Sequence, residues 1–152
     1  MAVEANVVIN RPPAQVFDFV ADFEKVPRWN AQLLRVRRIA SRPDEIGAVY
    51  DIEARAMKRG TEMVVKGTVS VTAYEPPSRI GFAFSRFGPL APSGSFTFEP
   101  VEGGTRVVYR ADLNLRWPFK LISTYLTQMS TEVWNENLAA LKRELEGSPE
   151  TV

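Results

Sequence analysis

Apolar and polar residues alternate with a period of two over most of this chain, which is typical of half-buried β-strands. In the first such stretch, residues 2–10, Val3, Ala5, Val7 and Ile9 share one face. Six further stretches with this pattern follow in chain order, at residues 33–40, 47–57, 61–74, 79–87, 94–99 and 105–115. Proline, glycine and charged turn residues separate them, so the sequence predicts seven antiparallel strands joined mainly by short turns.

Two short helices are predicted between the first and second strands. Prolines are favoured at the first position of a helix, and Pro12 and Pro13 precede the apolar segment 14–21. A second short helix is predicted from Asp22, ending near Pro27, with Trp29 directly after that stop.

A long helix is predicted near the C-terminus, over residues 118–146. This segment contains no internal proline or glycine, and Gly147 follows where helices commonly end. Its apolar stripe shifts along its length, from a first half containing Leu126 and Met129 to a second half containing Leu138. The two halves are therefore expected to pack on different surroundings.

The element order, strand, two short helices, six strands and one long helix, is an α+β pattern. A length of 152 residues suits one domain, which we place at residues 1–147, with a flexible tail at 148–152. A long helix that covers a curved sheet makes a cup. Whether the interior of that cup is filled or hollow decides the function.

Cysteine and histidine are both absent. Their absence excludes disulfides, zinc held by Cys or His, and every catalytic arrangement that pairs a nucleophile with histidine. The sequence has no phosphate-binding glycine motif and no metal-ligand spacing, so we expect no metal and no cofactor. Any chemistry must come from carboxylates, Lys, Arg, Tyr, hydroxyls, amides or the backbone.

Charge and hydropathy patterns favour a cytoplasmic protein without integral membrane association or a nucleic-acid partner. The N-terminal segment lacks the features of a secretory signal, and no apolar run approaches the length of a membrane span. The net charge is +1. The local cluster of Arg35, Arg37, Arg38 and Arg42 is either a solvated strand face or a patch for phosphate or an acidic partner, and a nucleic-acid binder normally has a broader basic stripe.

Four segments carry a resemblance to a known family: RPPAQVFDFVADFEKVPRWNAQLLRV, VTAYEPPSRIGF, GSFTFEPVEGGTRVVYR and the long C-terminal helix. Over about residues 3–146 the chain resembles the START-like, or SRPBCC, superfamily, which is also called birch-pollen-allergen-like. Within it, the chain is most similar to the polyketide cyclase/dehydrase group. The resemblance implies a helix-grip fold, in which a seven-stranded antiparallel sheet curves around the long C-terminal helix and two short helices close one end.

The resemblance also implies a deep, largely apolar cavity between sheet and helix. Members of this superfamily bind lipids, sterols, polyketides, plant hormones or quinones, and some cyclise, aromatise or dehydrate a bound polyketide. The expected partner is therefore a hydrophobic small molecule. Fold alone does not settle function.

Candidate ligand-binding residues lie on the inward phase of the strands, next to Pro27 and on the long helix. Such residues either line a ligand cavity or fill an ordinary core. The candidates are Trp29, Ile52, Met63, Val65, Phe82, Phe84, Phe96, Phe98, Leu126 and Met129.

Tyr50, Tyr109 and Tyr125 are the candidate catalytic residues. A tyrosine hydroxyl can polarise a carbonyl or stabilise an enolate, as an aldol-type cyclisation requires, or it can simply bond to the backbone. Asp51 and Glu53 fall on the predicted outer face, and a shift of one residue in phase would turn them inward. The same ambiguity applies to Arg55 and Lys66.

Three functions fit these features. The favoured one is a non-catalytic binder of a hydrophobic small molecule, such as a lipid, a polyketide or an aromatic compound. The alternative is a polyketide cyclase, aromatase or dehydratase that acts on a ligand bound in the same cavity. The third is a protein-interaction module that uses the arginine cluster. The sequence is compatible with a homodimer and identifies no surface for it.

Overall fold

The computed structural model describes residues 2–42, 45–58, 60–85, 92–113, 117 and 119–147. Its seven strands form one sheet in which every neighbouring pair is antiparallel, in the order β1-β7-β6-β5-β4-β3-β2. The strands are β1 Ala2–Ile9, β2 Leu33–Ala40, β3 Val49–Lys58, β4 Thr61–Glu75, β5 Arg79–Ser85, β6 Ser93–Val101 and β7 Gly104–Asp112. The predicted seven-stranded antiparallel sheet is confirmed.

Strand bounds differ from the prediction mainly at the ends. The strand predicted from residue 47 begins at Val49, because Gly47 has φ +92° and belongs to the preceding turn. The predicted extensions to residues 87 and 115, and the tail 148–152, fall outside the described residues.

Two glycines allow the strands around β7 to approach closely. A Cβ on Gly94 would lie 2.0 Å from the carbonyl oxygen of Arg110, and one on Gly104 would lie 2.0 Å from that of Ile9. Gly104 also has φ +145° at the tight turn from Val101 to β7. Only glycine meets these constraints without displacing the backbone.

The two predicted short helices are present after β1, and they are of different types. The first is the α-helix α1, Pro13–Ala21, and the second is a 3₁₀ helix, Phe23–Arg28. Pro27 lies inside the second helix. Proline lacks an N–H group and its ring clashes with the preceding turn, which accounts for the absence of a regular α-helix there.

The long C-terminal helix is confirmed as α2, Ser123–Glu146, preceded by a 3₁₀ turn, Phe119–Ile122. Its second half packs on β1, with Leu138, Leu141 and Leu145 completely or almost completely buried. These contacts, the curved sheet and the short helices establish the expected helix-grip architecture.

The inward phase of β3 is as predicted. Tyr50, Ile52 and Ala54 are buried, whereas Asp51 and Glu53 lie on the other face of the strand. The ambiguity over these carboxylates is thereby resolved, because they face away from the core.

Candidate functional site

An apolar cavity lies between the 3₁₀ helix, the inner face of the sheet and α2. The segment from the 3₁₀ helix to the start of β2 contributes Phe23, Val26, Trp29, Asn30 and Leu33. The sheet contributes Val36, Ile52, Val69, Phe82, Phe84 and Phe96. Trp134 is the lining residue on α2.

The cavity is narrow. The space that the centre of a water molecule can occupy is about 40 Å³, and the cleft with its open mouth holds about 400 Å³ free of atoms. One water needs roughly 10–15 Å³ on the first measure, so the cavity holds more than one water molecule. The 40 Å³ measure is the one to compare with the volumes of pockets for drug-sized ligands, which are about 300–1,000 Å³. A ligand of that size therefore requires the walls to separate.

An aromatic cluster forms much of the wall. Trp29 meets Phe96 edge to face with ring centroids 6.0 Å apart, and it meets Trp134 in the same way at 5.9 Å. Tyr109 stacks on Trp134 with centroids 3.8 Å apart and an interplanar angle of 14°. Such pairs contribute about 0.5–1.5 kcal/mol each beyond the area they bury. The cluster thus links the sheet to α2 beside the cavity.

Two adjacent residues, Trp29 and Asn30, contribute most of the polar groups of the cavity wall. Asn30 is buried, and its Oδ1 accepts a hydrogen bond from the backbone N–H of Gln32 at 2.9 Å. The Gln32 side chain in turn accepts a bond from Nδ2 of the buried Asn137 at 3.2 Å. Trp29 is only 2% exposed, and its Nε1 has no hydrogen-bond partner among the described residues.

Tyr50 and Tyr109 are both buried and neither lines the cavity. Tyr50 contacts the lining residue Phe23 with centroids 5.3 Å apart, and its hydroxyl has no partner within the described part of the chain. Burial, followed by the carboxylates of Asp22 and Glu24, raises the pKa of Tyr50 to about 12. Burial also raises the pKa of Tyr109. Both phenols are therefore neutral at neutral pH and are not ready bases.

Tyr125, Met129 and Met63 are not brought to the cavity. Tyr125 is 63% exposed and Met129 is 43% exposed, one turn apart on α2, whereas Leu126 packs against the core. Successive helical residues point about 100° apart, so burying Leu126 turns Tyr125 away. Met63 is 41% exposed because it lies at the start of β4, where residues 61–64 are exposed on both faces of the strand. These placements correct the inward orientation expected for all three.

The remaining ligand-binding candidates divide into two groups. Trp29, Ile52, Phe82, Phe84 and Phe96 line the cavity. Phe98 is absent from its wall and packs on Phe17 of α1, with centroids 5.3 Å apart. The half-buried Val65 and Leu126 are also absent from the lining.

Sequence reasoning missed several lining residues, of which four illustrate the available signals. Phe23 and Val26 are three residues apart, as expected for one face of a 3₁₀ helix. Trp134 belongs to the displaced apolar stripe of the long helix. Asn30 carried no such signal, because a single asparagine after a helix is most often a solvated turn residue.

The basic cluster is not one continuous patch. Arg35 and Arg37 line a second cleft, on the outer face of the sheet, with Lys66 and the acidic Asp51 and Glu53. The guanidinium nitrogen Nη1 of Arg35 lies 3.9 Å from the carboxylate oxygen Oε2 of Glu53. Charges of both signs alternate across these strands, as on a solvated sheet face.

The described residues contain neither a cluster of metal-ligating side chains nor a helix that could span a membrane. No group of three or more Asp and Glu side chains there is placed to hold a metal ion. No helix there is long and apolar enough to cross a bilayer.

A curved antiparallel sheet that grips a long helix beside an apolar cavity defines a class of domain in which small molecules are held between sheet and helix. The chain belongs to the family described as polyketide cyclase / dehydrase and lipid transport, whose match covers residues 1–146. This confirms the resemblance found in the sequence.

Solved structures share the fold. The chain is similar to a START superfamily protein from Mycobacterium smegmatis, with 16% identity and a TM-score of 0.78, over 96% of this chain and 97% of that one. It is also similar to the protein TTHA0849 from Thermus thermophilus, with 22% identity and a TM-score of 0.72, over 97% and 99%. No curated protein matches its sequence.

A third similar structure is the di-domain ARO/CYC protein BexL from the BE-7585A biosynthetic pathway. Identity is 20% and the TM-score is 0.75, over 98% of this chain and 51% of that one. The chain thus corresponds to about half of that protein. At these identities the likeness establishes the fold alone.

Proposed function

We propose that this protein binds a hydrophobic small molecule in the cavity between the sheet and α2. The observation that carries the proposal is the cavity itself, an opening between the 3₁₀ helix, the inner face of the sheet and α2, whose walls are almost entirely apolar and aromatic. Small-molecule sites have this composition, with a few polar groups that fix orientation. Family membership supports a hydrophobic ligand in general terms.

Three buried side-chain atoms lack a hydrogen-bond partner among the described residues. Two of them belong to residues in or beside the cavity wall, and the third is Thr127 Oγ1 on α2. Buried polar groups are nearly always paired, and an unpaired one costs about 1–3 kcal/mol. Yet Trp29 Nε1 and the Tyr50 hydroxyl are both unpaired among the described residues, one in the cavity wall and the other against a wall residue. Retention of such groups beside an opening supports a binding role.

A displacement assay with a matched pair of variants tests the proposal. Phe96 lines the cavity, whereas Phe98, two residues along the same strand, packs on α1. We expect anilinonaphthalene sulfonate to bind the wild type and to be displaced by fatty acids or small aromatic compounds. Phe96→Leu should change the dissociation constant severalfold, and Phe98→Leu should leave it nearly unchanged.

Native mass spectrometry complements that assay by detecting ligand retained from the expression host. Failure of every apolar probe to bind folded protein would refute the proposal. Equal effects of the two phenylalanine substitutions would place the binding site elsewhere.

A second candidate function is a polyketide cyclase, aromatase or dehydratase. Family membership favours it, as does the structural likeness to the di-domain ARO/CYC protein BexL. In this mechanism the neutral Tyr50 or Tyr109 hydroxyl would donate a hydrogen bond to a carbonyl or an enolate oxygen. Either phenol would require a shift of the cavity wall to reach the ligand, because neither lines the cavity now.

Turnover of a polyketide analogue tests this second candidate. Tyr50→Phe or Tyr109→Phe should lower turnover by on the order of 100-fold if that hydroxyl stabilises an oxyanion. The exposed Tyr125→Phe is the matched control, although the sequence had placed Tyr125 among the catalytic candidates. Unchanged turnover in both buried variants would exclude these residues from catalysis.

The cytoplasmic location and the homodimer considered from the sequence stay predictions.

A further inference from the structure

Trp29, a residue of the cavity wall, has a hydrogen-bond donor without an acceptor in the described part of the chain. An indole Nε1 can only donate a hydrogen bond, and Trp29 Nε1 donates to nothing among the described residues. The Trp29 ring is nevertheless one of the lining groups. A buried donor without an acceptor is costly, and the cost is removed when an acceptor enters.

The orientation of the neighbouring amide can be assigned from its hydrogen bond. The backbone N–H of Gln32 can only donate, so the Asn30 atom 2.9 Å from it must be the oxygen. The other atom of the Asn30 amide is therefore the NH₂ group, which also donates. Asn30 lines the cavity, and the structure records no acceptor for this group among the described residues.

Gln32 and the buried Asn137 hold this arrangement in place. Gln32 bonds to Asn30 through its backbone and to Asn137 of α2 through its side chain. A flip of the Asn30 amide would set two donors against each other at Gln32. Two adjacent residues of the cavity wall therefore carry N–H groups that have no acceptor among the described residues, within otherwise apolar surroundings.

We propose that the cavity selects apolar ligands that carry a hydrogen-bond-accepting oxygen, to which Trp29 Nε1 and Asn30 Nδ2 donate. This inference rests on the proposed binding function and narrows it to a chemical class of ligand. A carbonyl or ether oxygen on an apolar skeleton fits, whereas a pure hydrocarbon leaves both donors unpaired. Tyr50 is not included, because it does not line the cavity.

Tetralin and α-tetralone are suitable probes, because they share a skeleton and differ in a single ketone oxygen. We expect α-tetralone to bind the wild type about three- to tenfold more tightly, the difference typical of one neutral hydrogen bond. Trp29→Phe keeps an aromatic ring and removes one of the two donors, so it should lower the preference for the ketone. Trp134→Phe is the matched control on the same wall and should retain that preference.

Asn30→Asp examines the second donor. It preserves the oxygen that accepts from Gln32 and replaces the NH₂ group by an acceptor. We expect it to weaken α-tetralone binding more than tetralin binding.

The indole N–H resonance of Trp29 gives a readout on the wild type that does not depend on the folding of any variant. It should move downfield on titration with α-tetralone and much less with tetralin, while the resonance of the exposed Trp117, which does not line the cavity, serves as an internal reference. Equal affinities for the two probes, or a ketone preference that Trp29→Phe leaves unchanged, would overturn the inference and leave the binding function intact. Failure of both probes to bind would instead count against the binding function itself.

Discussion

The two halves of α2 differ in what they pack against, although they form one continuous helix. In the second half, Leu141 is fully buried against the core, and Lys142 Nζ donates to the carbonyl of Val8 at 2.6 Å. Glu146 accepts a bond from the backbone N–H of Asn10 at 2.7 Å. In the first half, Tyr125 and Met129 are exposed.

This difference indicates that the two halves of the helix have different structural roles. The second half covers the edge strand β1 and closes that end of the core, so it bears on folding stability. The first half leads to the cavity through Trp134 and leaves apolar side chains in contact with water. The narrow cavity must widen for a large ligand, and we expect the first half of α2, with its exposed Tyr125 and Met129, to move more readily than the second half.

The largest expected effect comes from truncating a buried residue in the second half. Leu141→Ala should lower the free energy of unfolding by about 2–5 kcal/mol, because it removes buried methyl groups and leaves a void. Met129→Ala, in the first half, should cost less than about 1 kcal/mol. Urea denaturation of both variants measures the contrast. Equal losses would show that the two halves are equally anchored.

Hydrogen exchange should reveal the same contrast without any substitution. Amides in the second half of α2 should exchange on the order of 100-fold more slowly than those near Tyr125, which corresponds to about 2.7 kcal/mol of opening free energy. Mass spectrometry of peptides from each half measures this ratio. A bound apolar ligand should slow exchange mainly in the first half. Uniform protection along α2 would contradict the comparison.

Tyr50→Phe sharpens the comparison at the cavity end. The variant removes a buried hydroxyl that has no partner among the described residues, so the free energy of unfolding should rise by about 1 kcal/mol. Tyr125→Phe, on the exposed side of α2, should leave it within about 0.5 kcal/mol of the wild-type value. Thermal denaturation measures both. A clear loss of stability in Tyr50→Phe would mean that the hydroxyl is hydrogen-bonded in solution.

The smallest expected effect concerns Glu146 and pH. Hydrogen bonds from Lys142 and then from the Asn10 backbone hold the pKa of Glu146 below its ordinary value of 4.5. A carboxylate with a lowered pKa stabilises the folded state fully above that ordinary value, and this stabilisation is lost as the pH falls through the lowered one. Wild type should therefore exceed Glu146→Gln in stability at neutral pH, by no more than about 1 kcal/mol.

Denaturation at several pH values below the ordinary pKa of 4.5 tests this dependence. The advantage of the wild type should shrink as the pH falls. A constant difference between the two proteins across this range would exclude Glu146 ionisation as its cause.

The strands were predictable because a period of two gives each residue an unambiguous face. Alternation alone predicts that Phe82 and Phe96 face inward, and the family resemblance supplies the cavity that they line. The outward position of Asp51 follows from the same alternation. On a helix, neighbouring side chains point about 100° apart, so an apolar stripe does not fix which of two adjacent residues faces the core. Tyr125 was therefore placed inward, next to Leu126, which is the residue that packs against the core.

Other parts of the site depend on tertiary contacts that no local pattern encodes. Asn30 is buried because the 3₁₀ helix, β2 and α2 converge on it, and its partners include a residue that contacts the distant Asn137. The separation of Phe96 from Phe98 is similar. The two share a strand face, and only the position of α1 decides that Phe98 packs on a helix while Phe96 borders a cavity.

The order of strands in the sheet has a consequence for how the protein is made. β1 is synthesised first, yet it pairs with β7, so Ile9 meets Thr105 across the ladder. At translation rates of about 5–20 residues per second, roughly 100 residues of delay correspond to about 5–20 seconds. During that interval β1 has no native partner strand, because it pairs with β7. Synthesis that stalls before β7 therefore leaves an apolar, unpaired strand available to aggregate or to engage a chaperone.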